Sequence, residues 1–121
     1  MKYDIEIDSS GNKFYYVNKI LHRTNRPAIE CADGAKIWHK DGKCHREGGP
    51  AIEDASGDKF WWINGELHRE DSPASESFNG KKEWWLNDKE IGVNNDFTNE
   101  SWKRFVKTLI FYKNMRNNGT R

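Results

Sequence analysis

Hydrophobic residues in this chain come in short bursts, each followed by a turn signal, until the last quarter, where the spacing changes. KFYYV at 13–17, KFWWI at 59–63 and KEWWL at 82–86 are rich in aromatic and β-branched residues, as strands are. Asn64-Gly65 or Asp41-Gly42 then supplies the positive φ angles of a tight two-residue turn, and ELHR at 66–69 returns as a second strand. From Trp102 onward the rhythm becomes helical: Trp102, Phe105, Val106, Leu109 and Ile110 follow the i, i+3, i+4, i+7, i+8 spacing of one helix face. Thr98 or Asn99 is the expected N-cap, Glu100 suits the first turn, and the basic residues of the later turns suit the C-terminal end of the helix dipole.

The bursts are copies of one unit with a period of 23 residues. Glycine recurs at Gly11, Gly34, Gly57 and Gly80, lysine at Lys13, Lys36, Lys59 and Lys82, and an aromatic at Tyr15, Trp38, Trp61 and Trp84. His22-Arg23, His45-Arg46 and His68-Arg69 stay in phase, as do Pro27-Ala28, Pro50-Ala51 and Pro73-Ala74, each followed by Glu30, Glu53 or Glu76. The fourth copy keeps its aromatics and then departs, with Ile91-Gly92 where His-Arg is due. The pattern predicts a mainly β protein with one α-helix: an antiparallel β-meander of about four hairpin repeats plus a C-terminal amphipathic helix. A single domain is expected over 1–121, with the repeat sheet at 8–92, a linker at Gly92–Asp96, the helix at 97–117 and a fraying end from Asn117 to Arg121.

Register follows from the turn. With Asn64-Gly65 as the turn residues, Ile63 faces Glu66, Trp62 faces Leu67, Trp61 faces His68 and Phe60 faces Arg69. One face then carries Phe60, Trp62, Leu67 and Arg69, and is assigned the core; the other carries Trp61, Ile63 and His68. The C-terminal helix is a candidate cover for the second face, or a cap on the sheet's open end.

The unit resembles the MORN repeat, a hairpin repeat of the same length. It is more similar to a variant, aromatic-aromatic-x-N-G-x-L-H-R-x-x-G-P-A, found in small proteins of bacteriophages and large DNA viruses. The resemblance covers roughly 8–92. It implies an elongated β-meander acting as a protein-binding or membrane-associating module with no shared catalytic residues. The chain departs from the variant at Lys19, which replaces the turn glycine, and at Thr24-Asn25-Arg26.

Composition sharpens this picture. Only 35% of residues are hydrophobic, yet six Trp, four Tyr and six Phe indicate a globular, aromatic core. The net charge of +1 hides a division: residues 1–100 carry 14 basic and 19 acidic side chains, net −5, while 101–121 carry six basic ones and no acid. The N-terminus has no apolar signal core and no stretch could span a bilayer, so a cytoplasmic protein is expected, in the host cytoplasm if viral, with no membrane partner. Cys31 and Cys44 are expected to stay reduced.

Candidate chemistry is sparse. No phosphate loop, nucleophile elbow or metalloprotease motif is present, and no enzyme activity or cofactor is expected. Cys31, His39, Cys44 and His45 could ligate zinc, but Cys44 takes the place of Leu21 and Leu67, and His39 that of Tyr16, Trp62 and Trp85, so no metal is expected. The pairs His22-Arg23, His45-Arg46 and His68-Arg69 are candidate ligand-binding groups. Their simpler reading is structural: each His stacks beside its hairpin's aromatic, each Arg pairs with a periodic Glu, and neighbours in a strand point to opposite faces. Lys103, Arg104 and Lys107 on the helix, with Trp84 and Trp85, are the candidates for binding a protein partner.

The leading expectation is therefore a small phage-type module that binds a host protein, as an inhibitor of a bacterial defence protein such as a CRISPR effector. That last step rests on the genomic company such proteins keep, not on a residue. The alternatives are a nucleotide or small-molecule sponge using His-Arg and Trp, and nucleic-acid binding through the basic helix, which the acidic body disfavours. Homo-oligomers are open to it through an uncapped sheet edge.

Overall fold

Each hairpin is closed by two residues in the left-handed region: Asn18 and Lys19, Asp41 and Gly42, Asn64 and Gly65, Asn87 and Asp88. These are the paired positive φ angles of a type I′ turn, whose twist matches that of the flanking strands. The computed structural model describes residues 2–117; of the end expected to fray, Asn117 is the last residue of the helix and 118–121 lie outside the described residues. The chain is mostly an antiparallel β-meander with a single C-terminal helix.

The sheet is built from the outer ends of the hairpins. Lys13–Val17 pairs with Ile29–Glu30, which pairs with Lys36–Ile37, then Ile52–Glu53, Lys59–Phe60, Ser75–Glu76 and Lys82–Leu86. In this register Lys13, Glu30, Lys36, Glu53, Lys59, Glu76 and Lys82 form one row across the sheet, alternating in charge at every step. Opposite charges directly across an antiparallel pair favour it, although the glutamates of this row make their ion pairs with Arg23, Arg46 and Arg69. The next row is apolar over Phe14, Ile29, Ile37, Ile52 and Phe60 and ends on Ser75 and Glu83. Ala28, Ala51 and Ala74 have no exposed surface at all.

The inner ends of the hairpins branch off this sheet. Trp62–Ile63 pairs with Glu66–Leu67 in the expected register, Trp62 opposite Leu67 and Ile63 opposite Glu66. Beyond that the expectation fails. The His68 N–H still reaches the Trp61 carbonyl at 3.0 Å, but Phe60 lies opposite Ile52 and Ser75, not Arg69. Arg69 has left its hairpin, its N–H donating to the Trp85 carbonyl of the next repeat at 3.3 Å. Arg69 therefore does not share a face with Phe60.

Two further boundaries differ from expectation. Asp4–Ile7 adds a strand ahead of the first repeat, paired to Lys13–Tyr16. The presumed linker is partly strand, Lys89–Val93, followed by a short 3-10 turn, Asn94–Asp96. The helix spans Asn99–Asn117, and Thr98 caps it by accepting the Ser101 N–H at 3.1 Å. Phe97 is not helical; it joins the core where the helix docks.

That core lies at the end of the sheet. Trp84 and Leu86 of the fourth repeat pack with Trp102 and Val106 of the helix, and Phe97, Phe105 and Leu109 close around them. Trp102 is fully buried and its indole N–H donates to the Arg69 carbonyl at 3.0 Å. The helix thus caps the fourth repeat of its own chain.

Candidate functional site

The residues that recur with the repeat are consumed by joining one repeat to the next. Each His ring accepts, at Nδ1, the N–H of the first turn residue of the following hairpin: His22 from Asp41 at 2.9 Å, His45 from Asn64 at 2.9 Å, His68 from Asn87 at 3.0 Å. An accepting Nδ1 leaves the neutral ring's proton on Nε2, which faces Glu47 from His45 and Glu70 from His68, at 3.1 and 2.9 Å. The second turn residue donates to the carbonyl of Leu21, Cys44 or Leu67 one repeat back. Each hairpin tip is therefore seated on the return strand before it.

Arginine, not histidine, covers the aromatic. Arg23 lies over Tyr15 at 3.7 Å, Arg46 over Trp38 at 3.9 Å and Arg69 over Trp61 at 3.8 Å. Each donates to the carbonyl of the proline four residues on, Pro27, Pro50 or Pro73, at 3.1–3.2 Å. Each also meets its periodic glutamate, Glu30, Glu53 or Glu76, as expected. The expected stacking of His on the aromatic is corrected: the strand ends at Leu67, and beyond it alternation no longer governs where side chains point. His68 and Arg69 consequently line the same groove.

That groove runs between the second and third repeats and encloses about 840 Å³. Trp61 and Ile63 form its floor, the Arg46–Pro50 loop and the His68–Asp71 segment its sides, and the helix its end wall, through Lys103, Val106, Lys107 and Ile110. A smaller counterpart of about 280 Å³ lies one repeat earlier, lined by His22, Arg23, Trp38, Lys40, His45 and Arg46 among others. There Lys40 stands where Ile63 stands in the larger groove.

The charges divide unequally. The acids at the rim are engaged: Glu47 with His45, Glu70 with His68, and Asp71 with the Arg69 Nε at 3.1 Å. Lys103 and Lys107 are exposed and form no ion pair with the described residues. The groove therefore carries both signs at its rim, the Lys103 and Lys107 ammonium groups together with the Glu47 and Glu70 carboxylates, around the apolar Ile63 and Ile110.

Comparison with family models, with curated proteins and with solved structures finds no match. The site stands on its geometry.

Of the residues expected to bind, Lys103, Lys107, Arg46, His68 and Arg69 converge on the large groove, and His22, Arg23, His45 and Arg46 on the small one. Arg104 lies outside both, exposed. Trp84 is corrected outright: at 1% exposure, under Trp102 and Phe97, it is core and cannot meet a partner. Trp85 is half-buried, its indole N–H on Glu83 at 3.1 Å. Ile63, Val106 and Ile110 were not singled out as site residues, since only the docked helix turns them toward one space.

The cysteines are chemically quiet. Burial pushes the Cys44 thiol up to about 11, and burial with the nearby Asp33 raises Cys31. Among the described residues no group of three His, Cys, Asp or Glu is placed to hold a metal ion.

His39, opposite Cys44, is a buried defect, because its Nδ1 has no hydrogen-bond partner. Burial also holds its pKa below the ordinary 6.5. The unfolded chain then takes up the proton first, so stability falls as pH drops below about 6.5 and stops falling once the folded ring protonates. His39→Phe, an aromatic where the other repeats carry Tyr16, Trp62 and Trp85, is expected to stabilise by about 1 kcal/mol and to flatten stability between pH 7 and 5. Urea melts across that range check it; an unchanged pH slope would clear His39.

Proposed function

We propose that the chain is a protein-binding module, not an enzyme, that captures a host protein through the groove between its second and third repeats. The observation that carries this reading is the pair of lysines without an ion pair, Lys103 and Lys107, lining one groove with the apolar Ile63 and Ile110. Interfaces combine such an apolar centre with charges that choose the partner. The resemblance to small phage and viral repeat proteins points to a host target, and a bacterial defence effector such as a CRISPR nuclease is the class proposed. The protein would work in the host cytoplasm; no described helix is long and apolar enough to cross a membrane.

A nucleotide-binding role is less well supported, because the Trp61 face on which a base would stack is covered by Arg69 at 3.8 Å. Nucleic-acid binding would use the same lysines, but the sheet beside them is acidic overall.

Recovery of host proteins from bacterial lysate on the wild-type chain and on a Lys103→Glu/Lys107→Glu variant tests the reading. The wild type is expected to retain a specific partner that the variant loses; equal recovery would remove the lysines from the site. Phage plating on a host with active CRISPR interference tests the defence assignment, with restored plating expected and unchanged plating counting against it.

A further inference from the structure

The smaller groove differs from the larger by three exchanges, and each moves it in the same electrical direction. Thr24 stands where the larger groove has Glu47, Gly48 where it has Asp71, and Lys40 where it has Ile63. Two acids are lost and one cation is gained. Among the described residues lining the smaller groove, Glu47 is the one carboxylate, against Arg23, Lys40 and Arg46. That carboxylate is already engaged by the His45 Nε2 at 3.1 Å.

The exchanges leave two groups without the partners that their counterparts have. His45 and His68 each turn Nε2 to a glutamate two residues on, whereas the His22 Nε2 meets the Thr24 hydroxyl at 3.4 Å. Because its Nδ1 accepts the Asp41 N–H at 2.9 Å, the neutral ring of His22 carries its proton on Nε2, as a donor with one long, uncharged contact. The Asp41 carboxylate lies 3.3 Å from Nδ1, the other side of the ring, and does not line the groove. Lys40 is the second group. It stands directly opposite Lys43 in its hairpin, where like charges repel, and neither lysine forms an ion pair with the described residues. The equivalent pairs, Val17 with Ile20, Ile63 with Glu66 and Leu86 with Lys89, carry no such conflict.

We propose that the smaller groove is a binding site for a phosphate group, whose oxyanion takes the place of the glutamate that Thr24 replaces. A phosphate offers several strong acceptor oxygens and up to two negative charges, so it can join donors that come from two different hairpins. It accepts from the His22 Nε2 and meets the Lys40 ammonium, offsetting the repulsion from Lys43. The Arg46 guanidinium, part-exposed and 3.9 Å from Glu53, adds positive charge from the wall, while Arg23 stays committed to Tyr15, Pro27 and Glu30. A space of about 280 Å³ suits a phosphate with a short stem, and Arg46 over Trp38 at 3.9 Å denies that ring to a nucleobase. The larger groove, with Ile63 and two more acids, is no such site.

The test titrates the full chain with inorganic phosphate and with ethyl phosphate, ionic strength being held constant with chloride, and follows the His22 imidazole signals by NMR. Saturable shifts are expected, with a dissociation constant of about 1 mM or tighter. Shifts no larger than chloride alone produces overturn the proposal. Tighter binding of ethyl phosphate supports the site and assigns it an esterified phosphate; equal or weaker binding supports it and assigns the free ion. Thr24→Glu and Lys40→Ile should each weaken binding about tenfold, by supplying an internal carboxylate and by removing a charged partner. Both should fold, because Glu47 and Ile63 already occupy those positions in the following repeat. Unchanged affinity in either folded variant overturns the proposal.

Discussion

Replacing Trp102 by alanine is expected to cost about 3–5 kcal/mol, as the loss of a large, fully buried aromatic does. Its side chain has no exposed surface and touches three other rings, with centroids 5.3 Å away for Trp84, 4.8 Å for Phe97 and 5.6 Å for Phe105. Its indole bond to the Arg69 carbonyl, 33 residues away, ties the helix to the third repeat as well as the fourth. The alanine variant opens a cavity over Trp84 and leaves that carbonyl without its donor. Val106, Phe105 and Leu109 add apolar packing around it, while Lys103, Arg104 and Lys107 face solvent. Denaturant melts followed by tryptophan fluorescence and by helical circular dichroism should show the helix lost first. A loss below about 1 kcal/mol, within the range of an ordinary surface change, would mean that the helix is not an integral cap.

Arg69→Lys is expected to cost about 2 kcal/mol although charge is conserved. The guanidinium lies 3.8 Å over Trp61, donates to the Pro73 carbonyl at 3.1 Å, and meets Asp71 at 3.1 Å and Glu76 at 3.5 Å. A lysine can keep one of these contacts but cannot lie flat on the ring while donating in two directions. Thermal melts measure the loss. Arg23→Lys over Tyr15 should behave alike but less severely, since Arg23 meets Pro27 and Glu30 but has no counterpart of the Asp71 contact. Equal stability of wild type and Arg69→Lys would show that the periodic arginine is not a structural joint.

Much of the architecture was legible in the residues because its causes are local. The Asp41-Gly42 and Asn64-Gly65 turns define the second and third hairpins, and the Trp62–Ile63 register follows from counting outward from Asn64 and Gly65. The place before an amphipathic stretch offered Thr98 or Asn99 as the cap, and the structure selects Thr98. The in-phase Lys and Glu were visible as a repeat but not as a charge row, since that requires knowing that Glu30 lies opposite both Lys13 and Lys36. The site was half legible: the lysines and the His-Arg pairs stood out, yet nothing local said that Lys103 and Arg69 would share a groove.

By itself, then, the sequence determined the repeat, its hairpins, their turns, the position of the helix and the division of charge, all of which depend on residues within a few places of one another. Tertiary structure decided where the return strand leaves its hairpin, and with that the pairing of Arg69 with Trp61 instead of Phe60. It also decided that Trp84 is core, because the helix buries it, whereas Trp61 in the same repeat position stays in an open groove. The physical reason is common to both. Equivalent positions in a repeat have the same backbone, but their exposure depends on what packs over them, and the described helix packs over the fourth repeat.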